Sequence, residues 1–422
     1  MNSKATIPET LSILKIGLDF QTGVYASFAI VLYLYLKHRK NASRLPLPPG
    51  PKKLPLVGNL LDMPKSYEWL TFQKWAQELG SDIIHLNMAG TSIVVLDSEE
   101  AANDLLEKRS SLYSSRARMP MVNELMGWSF NLGSMPYGDS WREHRRCITR
   151  EFHPNAAARF QPHVHKATHG LLRRLLDEHD DVLDSLRQMA GETIMSVAYG
   201  LDVQEKEDPY ILAAQRGTGP LTAAAVPGAF LVDALPILKY VPEWMPFAGF
   251  QRKAKEWRKC ADTMLNLPYD AAMRNIKAGE YTPSFLSYSL ENIDEKGDAA
   301  HQNFVIKNTA GSMFIAGSDT TVSAIGTCIL GLLSNPEAFK KAREEIDRVI
   351  GTERLPNFKD EESLPYITAV MKEGLRWRVV GPISQTIPIT HKLFAKYHYQ
   401  VSHIILKLKM SIEATGSLRV RS

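Results

Sequence analysis

Residues 303–333 read NFVIKNTAGSMFIAGSDTTVSAIGTCILGLL, and the fold class turns on this stretch. Its only charged residues are Lys307 and Asp319, and no proline interrupts it before Ser334-Asn335-Pro336. An apolar segment this long that stops at a proline reads as one core helix from about Asn303 to Leu333. Its centre is unusual, because Ala316-Gly317-Ser318-Asp319-Thr320-Thr321 puts poor helix formers in a row. Glycine costs backbone entropy, and Asp and Thr compete for backbone hydrogen bonds. Two readings stay open. One is a local bulge lining a cavity, where a carboxylate beside a hydroxyl organises water and passes protons. The other is a polar notch packed against a neighbouring helix.

Downstream, Glu337–Ile350 reads as a second helix that stops at Gly351. Leu364–Trp377 (LPYITAVMKEGLRW) reads as a third. Its Glu373 and Arg376, three apart, share a face and can pair. Alone this is an ordinary surface ion pair; the neighbours Ile367, Val370, Met371, Leu375 and Trp377 predict partial burial. Upstream, a mainly helical pattern covers about 140–313, with apolar periodicity in Ala157–Leu176, Val182–Tyr199 and Gln251–Ala272. Breaks are expected at Pro154, Pro209, Pro220, Pro227, Pro236, Pro242 and Pro246. The apolar, Pro-rich Pro220–Phe250 stretch is either a membrane-facing surface or a buried loop cluster. Trp141 and Arg145, four apart, share a helix face. An indole N–H beside a guanidinium suits an anionic group, although a solvated basic helix is the commoner explanation of such a pair taken alone. Ile83–Leu96 predicts two short strands around Ala89-Gly90, and Ser98 before Glu99-Glu100 predicts a capped helix start. The expected class is mainly α with a small β-sheet near the N-terminal side.

Towards the N-terminus, Thr22–Leu36 (TGVYASFAIVLYLYL) carries no charge and is followed at once by Lys37-His38-Arg39-Lys40. Fifteen helical residues reach about 22 Å, short of the roughly 30 Å hydrocarbon core. A basic cluster after the apolar run, rather than before it, favours a retained signal anchor with its C-terminal side in the cytosol. Residues 1–44 are therefore the expected anchor. The stiff Pro-rich stretch beginning Leu45-Pro46-Leu47-Pro48-Pro49-Gly50-Pro51 makes 45–58 the hinge. Of 422 residues, 44% are hydrophobic and 23% charged, which is ordinary for a protein with a real core. A net charge of +4 with no dense basic stripe argues against nucleic acid. Cys147, Cys260 and Cys328 lie far apart, with no zinc or disulfide spacing, and fit a reducing compartment.

The anchor, the hinge, the Trp-x-x-x-Arg helix, the Ala-Gly-x-Asp-Thr-Thr helix and the Glu-x-x-Arg helix occur in one order. In that order and spacing they resemble the cytochrome P-450 family of haem-thiolate monooxygenases. The strings MVNELMGW (121–128), VIKNTA (305–310), DTTVSA (319–324) and SLPYITA (363–369) resemble fungal members, particularly those of mushrooms. The resemblance implies a cytochrome P-450 fold over 59–388 and hydroxylation of a small lipophilic or indole-type secondary metabolite with O2. It implies haem as cofactor and electrons from NADPH through a membrane-bound cytochrome P-450 reductase. It also implies a monomeric, single-pass protein of the endoplasmic reticulum membrane whose body faces the cytosol. By the same resemblance Trp141 and Arg145 would bind a haem propionate. Ala316 and Gly317 would border the haem and the oxygen groove, and Asp319 and Thr320 would deliver protons. Glu373 and Arg376 would brace the core behind the haem.

The resemblance stops after Pro388. A small sheet, a second Arg completing the Glu-x-x-Arg network and a loop Phe-x-x-Gly-x-Arg-x-Cys-x-Gly should follow, and 389–422 contains no cysteine. That segment carries Lys396, Lys407, Lys409, Arg419 and Arg421 against Glu413 and reads as a divergent basic tail, like translated intron or shifted frame. The expectation is a catalytic body incomplete at its C-terminus, with no axial metal ligand. Apolar surface on the long helix would be bare, and Arg376 would become a buried charge short of a partner, at a cost of about 3–5 kcal/mol. A haem-free remnant that binds a ligand or partner is the alternative to a working enzyme.

Overall fold

The computed structural model describes residues 46–381 except 56, 65, 89, 177–180 and 227, together with 387–388 and 403–406. The expected anchor at 22–36, and the tail apart from 403–406, lie outside the described residues.

The expected strand pair forms. Strand β1 (Ile83–Met88) runs antiparallel to β2 (Thr91–Leu96), with Ile83 opposite Leu96 and Met88 opposite Thr91. The two-residue turn needs a positive φ, which Gly90 supplies at +97°. Helix α1 (Glu68–Leu79) buries Phe72 and Ala76 against Ile84, Leu86, Met88, Ile93 and Val95. The Pro-rich stretch is fastened to this sheet. The Pro49 carbonyl accepts from the His85 amide at 2.8 Å, and Lys53 Nζ lies 3.0 Å from His85 Nδ1. Burial and that ammonium push the His85 pKa down to about 4, so the ring bridges Lys53 and Ser92 as a neutral group. Strands β3 (Ile387–Pro388) and β4 (His403–Leu406) extend the sheet in the order β1-β2-β4-β3, with β4 parallel to β2.

The rest of the body is helical. Chain order gives α2 (Asp139–Glu151), α3 (Gln161–Leu175), α4 (Val182–Tyr199), α5 (Pro209–Ala225), α6 (Gly249–Ala278) and α7 (Phe285–Glu291). The last three are α8 (Ala299–Ser334), α9 (Pro336–Val349) and α10 (Pro365–Trp377). Local chemistry sets the ends. Asp181, Asp208 and Asp298 each take two first-turn amides, and Gly200 and Gly279 close α4 and α6 with positive φ. Pro220 does not break the chain as expected; it sits inside α5, and Pro268 sits inside α6. α5 and α6 pack on each other closely enough, with Gly217 against Met264, to hold both helices despite the lost backbone bond.

One core cluster joins Met121, Met126, Trp128, Met195, Tyr199 and Met264 to Phe285, Ile306, Ala310 and Phe314. A second joins α3, α4 and α8 through Leu171, Leu186, Met189 and Val322. Between α5 and α6 the chain makes short helical turns at Leu231–Ala234 and Pro236–Tyr240 and is not a wholly buried loop cluster, although Val232 and Ala248 are buried. Ile237, Tyr240, Trp244 and Phe247 are all exposed, Phe247 fully so and with φ at +67°.

Candidate functional site

Helix α8 is buried at 305–314 and only partly covered beyond. Val305 to Phe314 are buried except Lys307, whereas beyond Phe314 only Val322 is. The polar hexad begins where burial ends. No bulge forms, and that part of the first reading is corrected: the α-helix runs unbroken through Ala316–Thr321. The reason is local. Thr320 Oγ1 donates to the Ala316 carbonyl at 2.6 Å and Ser318 Oγ to that of Ile315 at 3.2 Å, so the hydroxyls are satisfied within the helix. The notch reading holds at Gly317, where a Cβ would lie 2.8 Å from the Ile194 side chain of α4. Ala316, Asp319 and Thr320 are exposed. Asp319 also lines a cleft of about 40 Å³ with Arg187, Gln215, Thr218 and Ser318, which is room for a few waters at most.

Helix α2 buries His144 and Cys147 and turns its basic residues outward. Trp141 is half-buried, its ring 5.2 Å from that of Tyr137. Arg145 is exposed and makes no ion pair among the described residues. Its neighbour Arg142 pairs with Asp139 and lies over the Tyr137 ring. The Trp141–Arg145 face is thus open to an anion.

On α10, Arg376 grips Glu373 with two bonds, Nε–Oε2 at 2.7 Å and Nη2–Oε1 at 2.6 Å. Glu373 is partly buried as expected, its side chain 31% exposed, but the expectation of a buried Arg376 charge is corrected, because the Arg376 side chain is 54% exposed. No buried-charge penalty applies, since water solvates the guanidinium. A cavity of about 430 Å³ opens beside α10, between Val164, His165 and Leu172 of α3 and Ile367 and Met371. None of Trp141, Arg145, Ala316, Gly317, Asp319, Thr320, Glu373 and Arg376 lines it.

Haem needs three kinds of residue here: a wall of small side chains, a cationic or donor edge for its carboxylates, and an iron ligand. Ala316 and Gly317 on α8 suit the first, and Trp141 with Arg145 suits the second. The third does not fit. Cys147 is buried with Sγ 4.0 Å from Ser289 Oγ, and Cys328 lies against Gly374. Burial pushes both thiols up, away from the thiolate a metal requires. Cys260 sits on α6, among neither set of residues. Among the described residues no three His, Cys, Asp or Glu side chains converge as a metal site. Of the tail histidines that could bind iron in place of a cysteine, His391 and His398 lie outside the described residues, and His403 is placed only as backbone in β4.

A family model described as Cytochrome P-450 matches residues 48–398. Cytochrome P-450 monooxygenase 98 of Postia placenta is 44% identical over 378 residues, covering 90% of this chain and 72% of that protein. Tryptamine 4-monooxygenase of Psilocybe cyanescens is 41% identical over 363 residues, covering 85% and 71%. Cytochrome P-450 monooxygenase ple1 of Rhodocybe pseudopiperita is 40% identical over 381 residues, covering 90% and 72%. The mainly helical body, the small sheet and these matches agree, and the chain belongs to the cytochrome P-450 family of monooxygenases.

Proposed function

We propose that the body is built for haem-dependent hydroxylation of a small lipophilic, indole-type secondary metabolite, and that the 422-residue chain itself does not assemble the iron–thiolate centre. The open face of α8 carries the first half of this reading, since Ala316, Asp319 and Thr320 stand exposed on a helix whose other half is core. The identity to a tryptamine 4-monooxygenase supports the substrate class. Bound haem would supply the oxygen chemistry. The chain's own residues would hold its edge and move protons. Trp141 Nε1 and the Arg145 guanidinium would hold a propionate. The Asp319 carboxylate would exchange protons with water in the cleft it shares with Arg187, Gln215 and Thr218. Thr320 Oγ1, now turned to the Ala316 carbonyl, would have to release it to take part. The Glu373–Arg376 pair would brace the core.

A retained N-terminal anchor would hold this body on the cytosolic side of the endoplasmic reticulum membrane, as a monomer served by an NADPH-dependent reductase. The exposed Ile237, Tyr240, Trp244 and Phe247 fit contact with a lipid interface. The positions of Cys147 and Cys328, both packed against neighbouring side chains or backbone, favour the second half of the proposal, that this stretch of chain does not by itself bind haem. Purified chain, reduced and exposed to carbon monoxide, should give no thiolate-type Soret shift. A clear shift would refute that half. A chimera carrying the Psilocybe relative's residues after Pro388 should take up haem and show a spectral change with tryptamine. Haem uptake without any response to tryptamine would remove the indole class.

A further inference from the structure

Glu345, on α9, is 6% exposed. Both of its carboxylate oxygens are engaged. Oε1 accepts from the Tyr366 amide at 3.1 Å and Oε2 from the Ile367 amide at 3.0 Å. These amides open α10, which has no capping side chain of its own: Leu364 stands at the cap position and Pro365, with no N–H, at the first. The first donors that α10 offers are thus both taken by a carboxylate from another helix. No ion pair meets this carboxylate among the described residues, so backbone amides and the positive end of α10 balance its charge. The far end of α10 is held differently, by shape. Gly374 lets Cys328 of α8 press against the backbone, and the Trp377 ring packs on Gly331. Shape contact sets how closely α10 approaches α8. It resists sliding along the axis weakly, and the two directional bonds from Glu345 supply that resistance.

We propose that Glu345 is a positioning residue whose carboxylate fixes the axial height of α10 and thereby the place of the Glu373–Arg376 pair. The functional meaning rests on the reading of that pair as a brace. The test needs neither haem nor turnover, so its outcome is independent of the proposed activity.

Amide hydrogen exchange of the full chain in detergent reads the height of α10 directly. The variants are Glu345→Ala, Glu345→Gln and, as control, Glu344→Gln at the exposed neighbour on the same helix. Glu345→Ala should speed exchange at 366–369 by roughly ten-fold and carry a several-fold acceleration through 371–377, with α4 and 305–314 unchanged. Glu345→Gln keeps one acceptor oxygen and should fall between. The control should match the parent. An effect confined to 366–369 would make Glu345 a local cap and overturn the proposal, as would wild-type exchange in both Glu345 variants. If Glu345→Ala does not fold, Glu345→Gln decides alone. Faster exchange at 371–377 supports positioning, and parent-like exchange there refutes it.

Discussion

Asp233 shows what a single residue's surroundings add to its identity. Its carboxylate accepts the Met121 amide at 2.9 Å, and burial pushes its pKa up to about 6 from an ordinary value of 3.8. The folded chain therefore holds this proton more tightly than the unfolded chain does. The charged carboxylate lowers stability above about pH 6, and that cost fades as pH falls from 6 towards 3.8. Asp233→Asn keeps an acceptor for the Met121 amide and removes the charge. It should add about 1–2 kcal/mol at pH 7.5 and nothing near pH 4, measured by urea unfolding at both values. An equal effect at both would show that charge is not the cause. The sequence singles out Asp319, Thr320, Trp141 and Arg145 by unusual company in a helix or by spacing. It does not single out Asp233 or Glu345, because their partners lie over 100 residues away for one and 21 for the other, and nothing local marks them.

Helices were the most legible elements. Val182–Tyr199 falls where periodicity places it, and Asn303–Leu333 is extended only to Ala299–Ser334. Capping aspartates and closing glycines are local signals, so they can be read locally. Pro220 reads locally as a break, yet packing between α5 and α6 offsets its cost, which periodicity does not reveal. The junction of α8 with α10 also depends on packing. A Cβ at Gly374 would overlap the Cys328 sulfur, so Gly374→Ala should cost about 1–3 kcal/mol in thermal or chemical unfolding. Adding Cys328→Ala should recover part of that loss. A double variant no more stable than Gly374→Ala would place the strain elsewhere.

At the scale of the whole molecule, apolar side chains that would ordinarily be core stand in solvent on α8 and α10. Leu333 is 74% exposed, and Leu375 and Met371 about half. A joint Leu333→Ser and Leu375→Ser variant should change stability by less than about 0.5 kcal/mol each while reducing self-association in sedimentation. A large fall in melting temperature would mean these residues are buried in solution. Chain order and composition alone determined the family, the helical class and the lack of a cysteine after Cys328. Those follow from residue type, short-range periodicity and motif order, which need no knowledge of neighbours in space. Tertiary structure alone decided which part of α8 is fully covered and that Arg376 lies at the surface. It likewise decided that Thr320 turns back on its own helix and that α9 caps α10. Burial and hydrogen-bond partners come from segments far apart in the chain, and only the fold brings those segments together.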